Sequence, residues 1–141
     1  MKANIVLAVA VVSMLPGCSL FPLMAGQCQG HECQVLVSVD ANCAIAADPE
    51  ELEVPYGTGP VNIRWKLEPS SGYVFDDQQG ITFKPGQNPG EFDEKRPEDQ
   101  GKKFHWRDKN TQQGRFRYGI TVRDASDPNR VCRSDPLVYN H

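Results

Sequence analysis

The stretch Val61-Asn-Ile-Arg-Trp-Lys-Leu67 carries the clearest structural signal in the sequence. Its apolar residues occupy every second position, and the polar residues Asn62, Arg64 and Lys66 alternate with them. Because successive side chains of a β-strand point to opposite faces, this pattern predicts a strand that buries one face and exposes the other. Trp65 is the expected anchor of the core.

Similar alternation recurs before and after this strand. It is clear at 33–39 and at 115–122, where Phe116, Tyr118 and Ile120 share one face. Shorter segments of the same kind lie between turn residues, at 51–54, 73–75, 81–83, 102–107, 131–132 and 137–139. The sequence therefore predicts an all-β domain, a single antiparallel β-sandwich of about seven or eight strands.

Residues 1–17 have the composition of an export signal. Lys2 precedes Ile5–Leu15, an uncharged apolar run of 11 residues. A helix needs about 20 residues to cross the hydrocarbon core of a bilayer, so the run is too short for a permanent membrane span. We therefore expect a signal peptide over 1–17 and an exported protein.

The signal ends in Leu15-Pro16-Gly17-Cys18, which resembles the lipobox of bacterial lipoproteins. The resemblance implies that Cys18 becomes the first residue of the mature chain and carries lipid, palmitate included, which would anchor the protein in a membrane. With Ser19 next, it also implies an outer-membrane location facing the periplasm. Cleavage after Ala25, which would release a soluble protein, is the alternative.

The cysteine count fits an oxidising compartment. With Cys18 assigned to lipid, the other four form an even set and predict two disulfides. Of the three connectivities that four cysteines allow, we favour Cys28–Cys33, a short local loop, with Cys43–Cys132 joining the first strands to the last. A zinc site made by Cys28, His31 and Cys33 is the alternative interpretation of the first pair. We expect residues 18–32 to form a tether and residues 33–141 to form the domain, with an exposed loop at 85–101.

Basic residues alternate with core residues on three of the predicted strands, so their side chains should face outward. If these strands are neighbours in a sheet, they form a cationic face that could bind an envelope protein or an anionic glycan or lipid. The candidate binding residues are Arg64, Lys66, Lys103, Arg107, Arg115 and Arg117. His105 is expected on the same outer face.

Aromatic residues divide into two groups by their position. Trp65 and Trp106 are in phase with apolar neighbours, and we expect them to pack in the core. Tyr56, Tyr73 and Tyr139 lie closer to turns or chain ends. These tyrosines are the expected exposed aromatic contacts.

The segment Gly114–Val122 (GRFRYGITV) resembles the penultimate strand of immunoglobulin-like domains, where a turn glycine precedes alternating aromatic and aliphatic residues. Trp65 matches the buried tryptophan upstream. Through Ser71–Phe75 and Gly80–Phe83 the chain is also similar to small uncharacterised bacterial β-sandwich proteins. These resemblances imply an immunoglobulin-like sandwich and imply no activity.

Composition and motifs favour a binding protein over an enzyme. A formal net charge of −3 argues against general nucleic-acid binding. No Gly-x-Ser-x-Gly motif occurs, and the carboxylates of loop 85–101 should be solvated. We expect a non-enzymatic, envelope-anchored binding module without metal or cofactor. An inhibitor or immunity-type lipoprotein is one alternative, and a small envelope hydrolase is another. A calcium site built from the loop carboxylates, or from Asp124 and Asp127, is the alternative interpretation of the acids.

Overall fold

The computed structural model describes residues 28–86 and 90–141, so the predicted signal peptide, the lipobox-like segment and Cys18 lie outside the described residues. The described chain is built from β-strands, with one 3₁₀ turn at Asp99–Gly101. The strands are β1 (Glu32–Val39), β2 (Ile45–Asp48), β3 (Glu51–Val54), β4 (Val61–Leu67), β5 (Tyr73–Phe75), β6 (Ile81–Phe83), β7 (Phe92–Glu98), β8 (Lys103–Asp108), β9 (Gly114–Asp124), β10 (Val131–Ser134) and β11 (Leu137–Asn140).

The first sheet has the order β2-β1-β4-β8-β7, with the predicted strand β4 at its centre. Val61, Ile63, Trp65 and Leu67 are all buried, as the alternation predicted. β4 pairs in parallel with β1 and antiparallel with β8. The strand thus has partners on both edges, which suits its apolar, β-branched and aromatic content.

The second sheet is organised around the long strand β9. Along one edge of β9 run β6 and β5, and along the other run β11 and β10. Each pair of short strands is interrupted by a turn, which raises the number of strands above the seven or eight expected. β3 completes this sheet by pairing in parallel with β11.

The core lies between the two sheets. Trp65 from β4 meets the ring of Tyr118 from β9 edge to face, with 5.2 Å between the centroids. Phe75 and Phe104 make a similar contact across the sheets at 6.0 Å. The all-β sandwich is therefore confirmed, with its core where the sequence placed it.

Two disulfides join the predicted partners. Cys28–Cys33 closes a short local loop, and Cys43–Cys132 joins the turn after β1 to β10 in the other sheet. The connectivity is confirmed, and the zinc interpretation of Cys28, His31 and Cys33 is wrong because both thiols are oxidised. His31 instead places Nδ1 2.9 Å from the carbonyl oxygen of Pro60.

The prediction of an exposed loop over 85–101 is wrong in part, because residues 92–98 form strand β7. β7 pairs with β8 along the edge of the first sheet, and its register shifts between Asp93 and Arg96. Only Phe92 at its start is buried. An edge strand tolerates charged side chains and Pro97, since one of its edges needs no hydrogen-bond donors. Because of the charged side chains and the proline, the sequence pattern did not indicate a strand here.

The connections gather at two ends of the sandwich. At one end, strands β3, β8 and β11 finish and β4, β7 and β9 begin, and we call residues 55–60, 90–91, 109–113 and 140–141 the loop end. At the opposite end, which we call the far end, lie the turns 40–44, 68–72 and 125–130. In the described ranges no helix has the length and apolar character required to cross a membrane.

Candidate functional site

The six predicted basic residues do not form one surface. Arg64 and Lys66 on β4 are neighbours of Lys103 and Arg107 on β8, so these four share the first sheet. Arg115 and Arg117 belong to β9, in the second sheet. The structure therefore divides the candidate cationic face between opposite sides of the sandwich.

On the first sheet, acidic residues lie beside the basic ones. Arg107 donates to both carboxylate oxygens of Asp93, from Nε to Oδ1 and from Nη2 to Oδ2, each at 2.8 Å. This two-point contact lowers the pKa of Asp93 below its usual value. Arg64 pairs in the same way with acids on both sides, Glu32 and Glu98. Asp93 and Glu98, expected in a solvated loop, instead lie on β7 beside the arginines of the sheet.

His105 does not face solvent as predicted but is fully buried. Its Nδ1 lies 3.0 Å from the carbonyl oxygen of Glu94, which the irregular part of β7 turns inward, and its Nε2 lies 3.1 Å from Oδ1 of Asn62. Burial, together with nearby Arg96 and Arg64, lowers the pKa of His105. The ring is therefore a neutral packing group near pH 7.

Arg115 and Arg117 lie on the outer side of the second sheet. The guanidinium of Arg115 lies 4.9 Å from the ring centroid of Tyr139 and 3.6 Å from a carboxylate oxygen of Glu51. Arg117 lines a shallow cleft with Glu51 and Asp135. Both arginines thus have acidic neighbours.

At the loop end, Glu91 holds the turn between β8 and β9. Its side chain is fully buried, although the sequence placed it among solvated loop acids. Oε1 accepts hydrogen bonds from the backbone nitrogens of Thr111 (2.7 Å) and Gln112 (3.2 Å), and Oε2 accepts one from Oγ1 of Thr111 (2.6 Å). One carboxylate thereby fixes both backbone and side chain of this turn.

Asn110 ties the same turn to the connection 55–60. Its side-chain nitrogen lies within hydrogen-bond distance of the carbonyl oxygens of Pro55 (2.8 Å) and Gly59 (3.2 Å) and of Oγ1 of Thr58 (3.2 Å). Its backbone has a φ of 54°, in the left-handed region that asparagine adopts more readily than most residues. Its own backbone nitrogen donates to Oδ1 of Asp108 at 2.8 Å.

The C-terminal strand closes the loop end from the other side. Backbone bonds join Tyr56 nitrogen to the His141 carbonyl oxygen (2.7 Å) and His141 nitrogen to the Val54 carbonyl oxygen (3.2 Å). The buried Asn140 donates from its side chain to the carbonyl oxygen of Gln112 at 3.3 Å. Segments distant in the sequence are therefore held as one unit.

This unit presents an aromatic side chain to solvent. Tyr56 is 44% exposed and is the exposed large hydrophobic residue of the described ranges. Its hydroxyl bonds the Thr111 carbonyl oxygen at 3.4 Å, which limits the motion of the ring. Exposure of Tyr56 is thus as predicted. The predicted exposure of Tyr73 is wrong, because this side chain is buried at 8% exposure. Tyr139 is half-buried, stacked between Arg115 and His141.

The buried polar cluster of the loop end was missed by sequence reasoning. It consists of Glu91, Asp108, Asn110 and Asn140. The one available signal is the spacing Asp108-Lys-Asn110, because an Asp side chain often accepts a bond from the backbone nitrogen two residues on. That signal predicts a turn and says nothing of its burial.

Comparisons with known proteins add little to this geometry. No protein-family model matches the chain, and no curated protein matches it. Among solved structures, a cysteine protease inhibitor from Entamoeba histolytica is similar with a TM-score of 0.37 and 12% identity, covering 79% of this chain and 98% of that one. A similarity of this size carries no functional argument, so the candidate site depends on its own residues.

Proposed function

We propose that this protein is an exported, lipid-anchored and non-enzymatic binding module that uses its loop end to contact another protein of the bacterial envelope. One observation carries the proposal: a fully buried polar cluster holds the loops in place around the exposed Tyr56. Tyr56 is the centre of the proposed contact.

The energetics of the cluster favour this proposal over a purely structural role. Burying an ionised carboxylate costs free energy even when it accepts hydrogen bonds, and apolar packing would stabilise the end of a sandwich more simply. Rigid loops, however, reduce the conformational entropy lost on association. A tyrosine on such loops offers a large contact area with few rotatable bonds.

The basic strand face is the weaker candidate surface. Arg64 and Arg107 already bind acids of the same sheet, in part by bonds shorter than 3.1 Å. A partner would have to replace those contacts, which reduces the gain from any new ion pair. We therefore place the binding site at Tyr56 and not at Arg64, Lys66, Lys103 or Arg107.

The test is a comparison of three forms of the full chain in its own envelope. The affinity tag is inserted in the far-end turn at 125–129, because the C-terminus belongs to the loop end. Wild type is compared with Tyr56→Ala and with Asn42→Ala, a control at the exposed far-end turn. After crosslinking in cells and mass spectrometry, we expect at least one protein captured by wild type and by Asn42→Ala and lost with Tyr56→Ala.

Two outcomes of this experiment carry further information. Capture of the same proteins by all three forms, with equal melting temperatures, contradicts a role for the loop end. If the captured protein is an enzyme whose turnover falls on addition of the purified wild-type chain, the binding takes the inhibitor form. Mass spectrometry of the same samples also tests the anchor, since an unmodified N-terminal residue in place of an acylated Cys18 contradicts it.

A further inference from the structure

Asp108 and Glu91 place two carboxyl groups together in the buried part of the loop end. Both side chains are fully buried, and they accept hydrogen bonds from consecutive backbone nitrogens of one turn, Asp108 from Asn110 and Glu91 from Thr111 and Gln112. Oδ1 of Asp108 accepts a bond from the Asn110 nitrogen. Oδ2 of Asp108 has no partner at hydrogen-bond distance and angle within the described residues, although the nearby Asn140 side chain favours the charged form of this carboxyl.

Two ionised carboxylates in such a place would be unfavourable for two reasons. Each loses its hydration on burial, and the two charges repel each other. A single proton held between them removes one charge and turns the contact into a hydrogen bond from Asp108 to Glu91. This arrangement also gives Oδ2 of Asp108 a hydrogen-bond partner.

We propose that Asp108 and Glu91 share one proton and thereby make the loop end a pH-dependent latch, tight in mild acid and loose in mild alkali. The latch follows from the geometry of the cluster, and only its effect on partner binding rests on the proposed function. Glu91 is the link between the two, because the same carboxylate holds the backbone of Thr111 and Gln112.

The electrostatics of the site are consistent with this assignment. Burial raises the pKa of Asp108 to about 7, and the charge of Glu91 adds to the effect. The other ionisable groups on the adjoining elements have partners elsewhere. Arg107 and Lys109 contact Asp93, His31 contacts the Pro60 carbonyl, His141 stacks on Tyr139, and the Tyr56 hydroxyl bonds Thr111.

The direction of the pH effect follows from linkage. In the unfolded chain Asp108 titrates near its ordinary value of 3.8, whereas in the folded chain it titrates near 7. Between these pH values the folded state holds a proton that the unfolded state lacks, so the stabilisation is complete below about pH 4 and is lost by about pH 7. His105 acts in the opposite direction, since its lowered pKa reduces stability on acidification. The pH dependence of wild-type stability alone would therefore combine the effects of Asp108 and His105.

The test separates them by substitution. Asp108→Asn supplies an uncharged donor to Glu91 at every pH and leaves His105 in place. Asp93→Asn is the matched control, because its pKa lies below the range tested. With the mature chain in micelles, melting temperatures are measured from pH 5 to pH 8. We expect wild type to lose melting temperature relative to Asp108→Asn as pH rises, and Asp93→Asn to run parallel to wild type.

Amide hydrogen exchange locates the effect. Protection factors of the Thr111 and Gln112 amides should fall between pH 5 and pH 8 in wild type and stay constant in Asp108→Asn. The protection factor of the Cys43 amide, at the far end, should stay constant in wild type and in Asp108→Asn. Should Asp108→Asn not fold, Glu91→Gln replaces it, because its amide nitrogen can donate to Asp108 while its oxygen still accepts from Thr111.

Three results would overturn the latch. They are parallel pH profiles for wild type and Asp108→Asn, a carboxyl carbon of Asp108 that titrates by NMR below pH 5, and recovery of Thr111 protection at pH 8 on addition of calcium. The last result would show that a cation, not a proton, separates the two carboxylates. All three are measured without a partner, so they leave the proposed binding at Tyr56 to its own test.

Discussion

The two ends of the sandwich are held together by different chemistry. At the far end, the Cys43–Cys132 disulfide joins the two sheets covalently, and Arg130 reinforces it with a bond to the Ala41 carbonyl oxygen. At the loop end, the connection 55–60 is joined to the turn 109–113 by hydrogen bonds from the side chain of Asn110. One end is therefore fixed by a covalent bond, and the other by hydrogen bonds that thermal motion can open.

The difference teaches where stability and recognition are placed in a small domain. A disulfide mainly limits the freedom of the unfolded chain and needs no special surface around it. A hydrogen-bonded cluster, in contrast, defines the local shape of the folded chain and allows it to respond to its surroundings. The far end thus stabilises the domain as a whole, whereas the loop end shapes a surface.

The largest effect should follow from removing the covalent bond. Cys43 and Cys132 lie 89 residues apart, and closing a loop of that length stabilises a fold by about 2–5 kcal/mol. We expect Cys43→Ala/Cys132→Ala to lose stability in that range, measured by urea unfolding with tryptophan fluorescence. The geometry around Tyr56 should persist below the transition. A loss under about 1 kcal/mol would mean that the loop end, not the disulfide, joins the sheets.

An intermediate effect should follow from opening the hydrogen-bonded end. Asn110→Ala leaves the Pro55 and Gly59 carbonyl groups without their donor and puts alanine at a φ of 54°. We expect a loss of about 1–3 kcal/mol in urea unfolding and faster hydrogen exchange at 55–60. Asn110→Gly is the matched variant, since glycine accepts that backbone angle. Equal losses in the two variants would show that the angle contributes little.

The smallest effect should come from the ion pairs on the first sheet. Glu98→Gln removes the carboxylate that Arg64 and Arg96 contact at 3.0 and 3.1 Å, in a partly exposed setting. We expect a loss of at most about 1 kcal/mol that shrinks as salt is added. The neighbouring arginines lower the pKa of Glu98, so its stabilising effect should disappear as pH falls below 4.5. A salt-independent loss would point to packing instead of charge.

Much of the sheet framework could be predicted from the sequence. Trp65 lies in a strand with partners on both edges, where strict alternation is required because one face is buried. The cysteines were equally informative, since an even set in an exported chain tends to pair. In both cases a local pattern or a simple count carried the information.

The loop end could not be predicted, because its parts are distant in the sequence. Glu91 and Asn110 each sit in a polar segment, and polar segments are usually exposed. Their burial arises only when the segments meet, which no local pattern records. The prediction that His105 faces solvent was wrong for a related reason. β7 covers this side chain, and the charged residues and proline of an edge strand gave no strand pattern in the sequence.

The Cys28–Cys33 bridge determines where the chain enters the domain, and this has a consequence for which molecules can reach Tyr56. Cys28 lies beside β3, with Sγ 3.6 Å from the Glu53 carbonyl oxygen, next to the loop end. Ten residue steps separate Cys18 from Cys28, so the distance between these two residues is at most about 35 Å. With Cys18 acylated, the loop end would be kept in a thin layer above the lipid. Only partners that occupy this layer could then reach Tyr56, whatever the fit of their side chains.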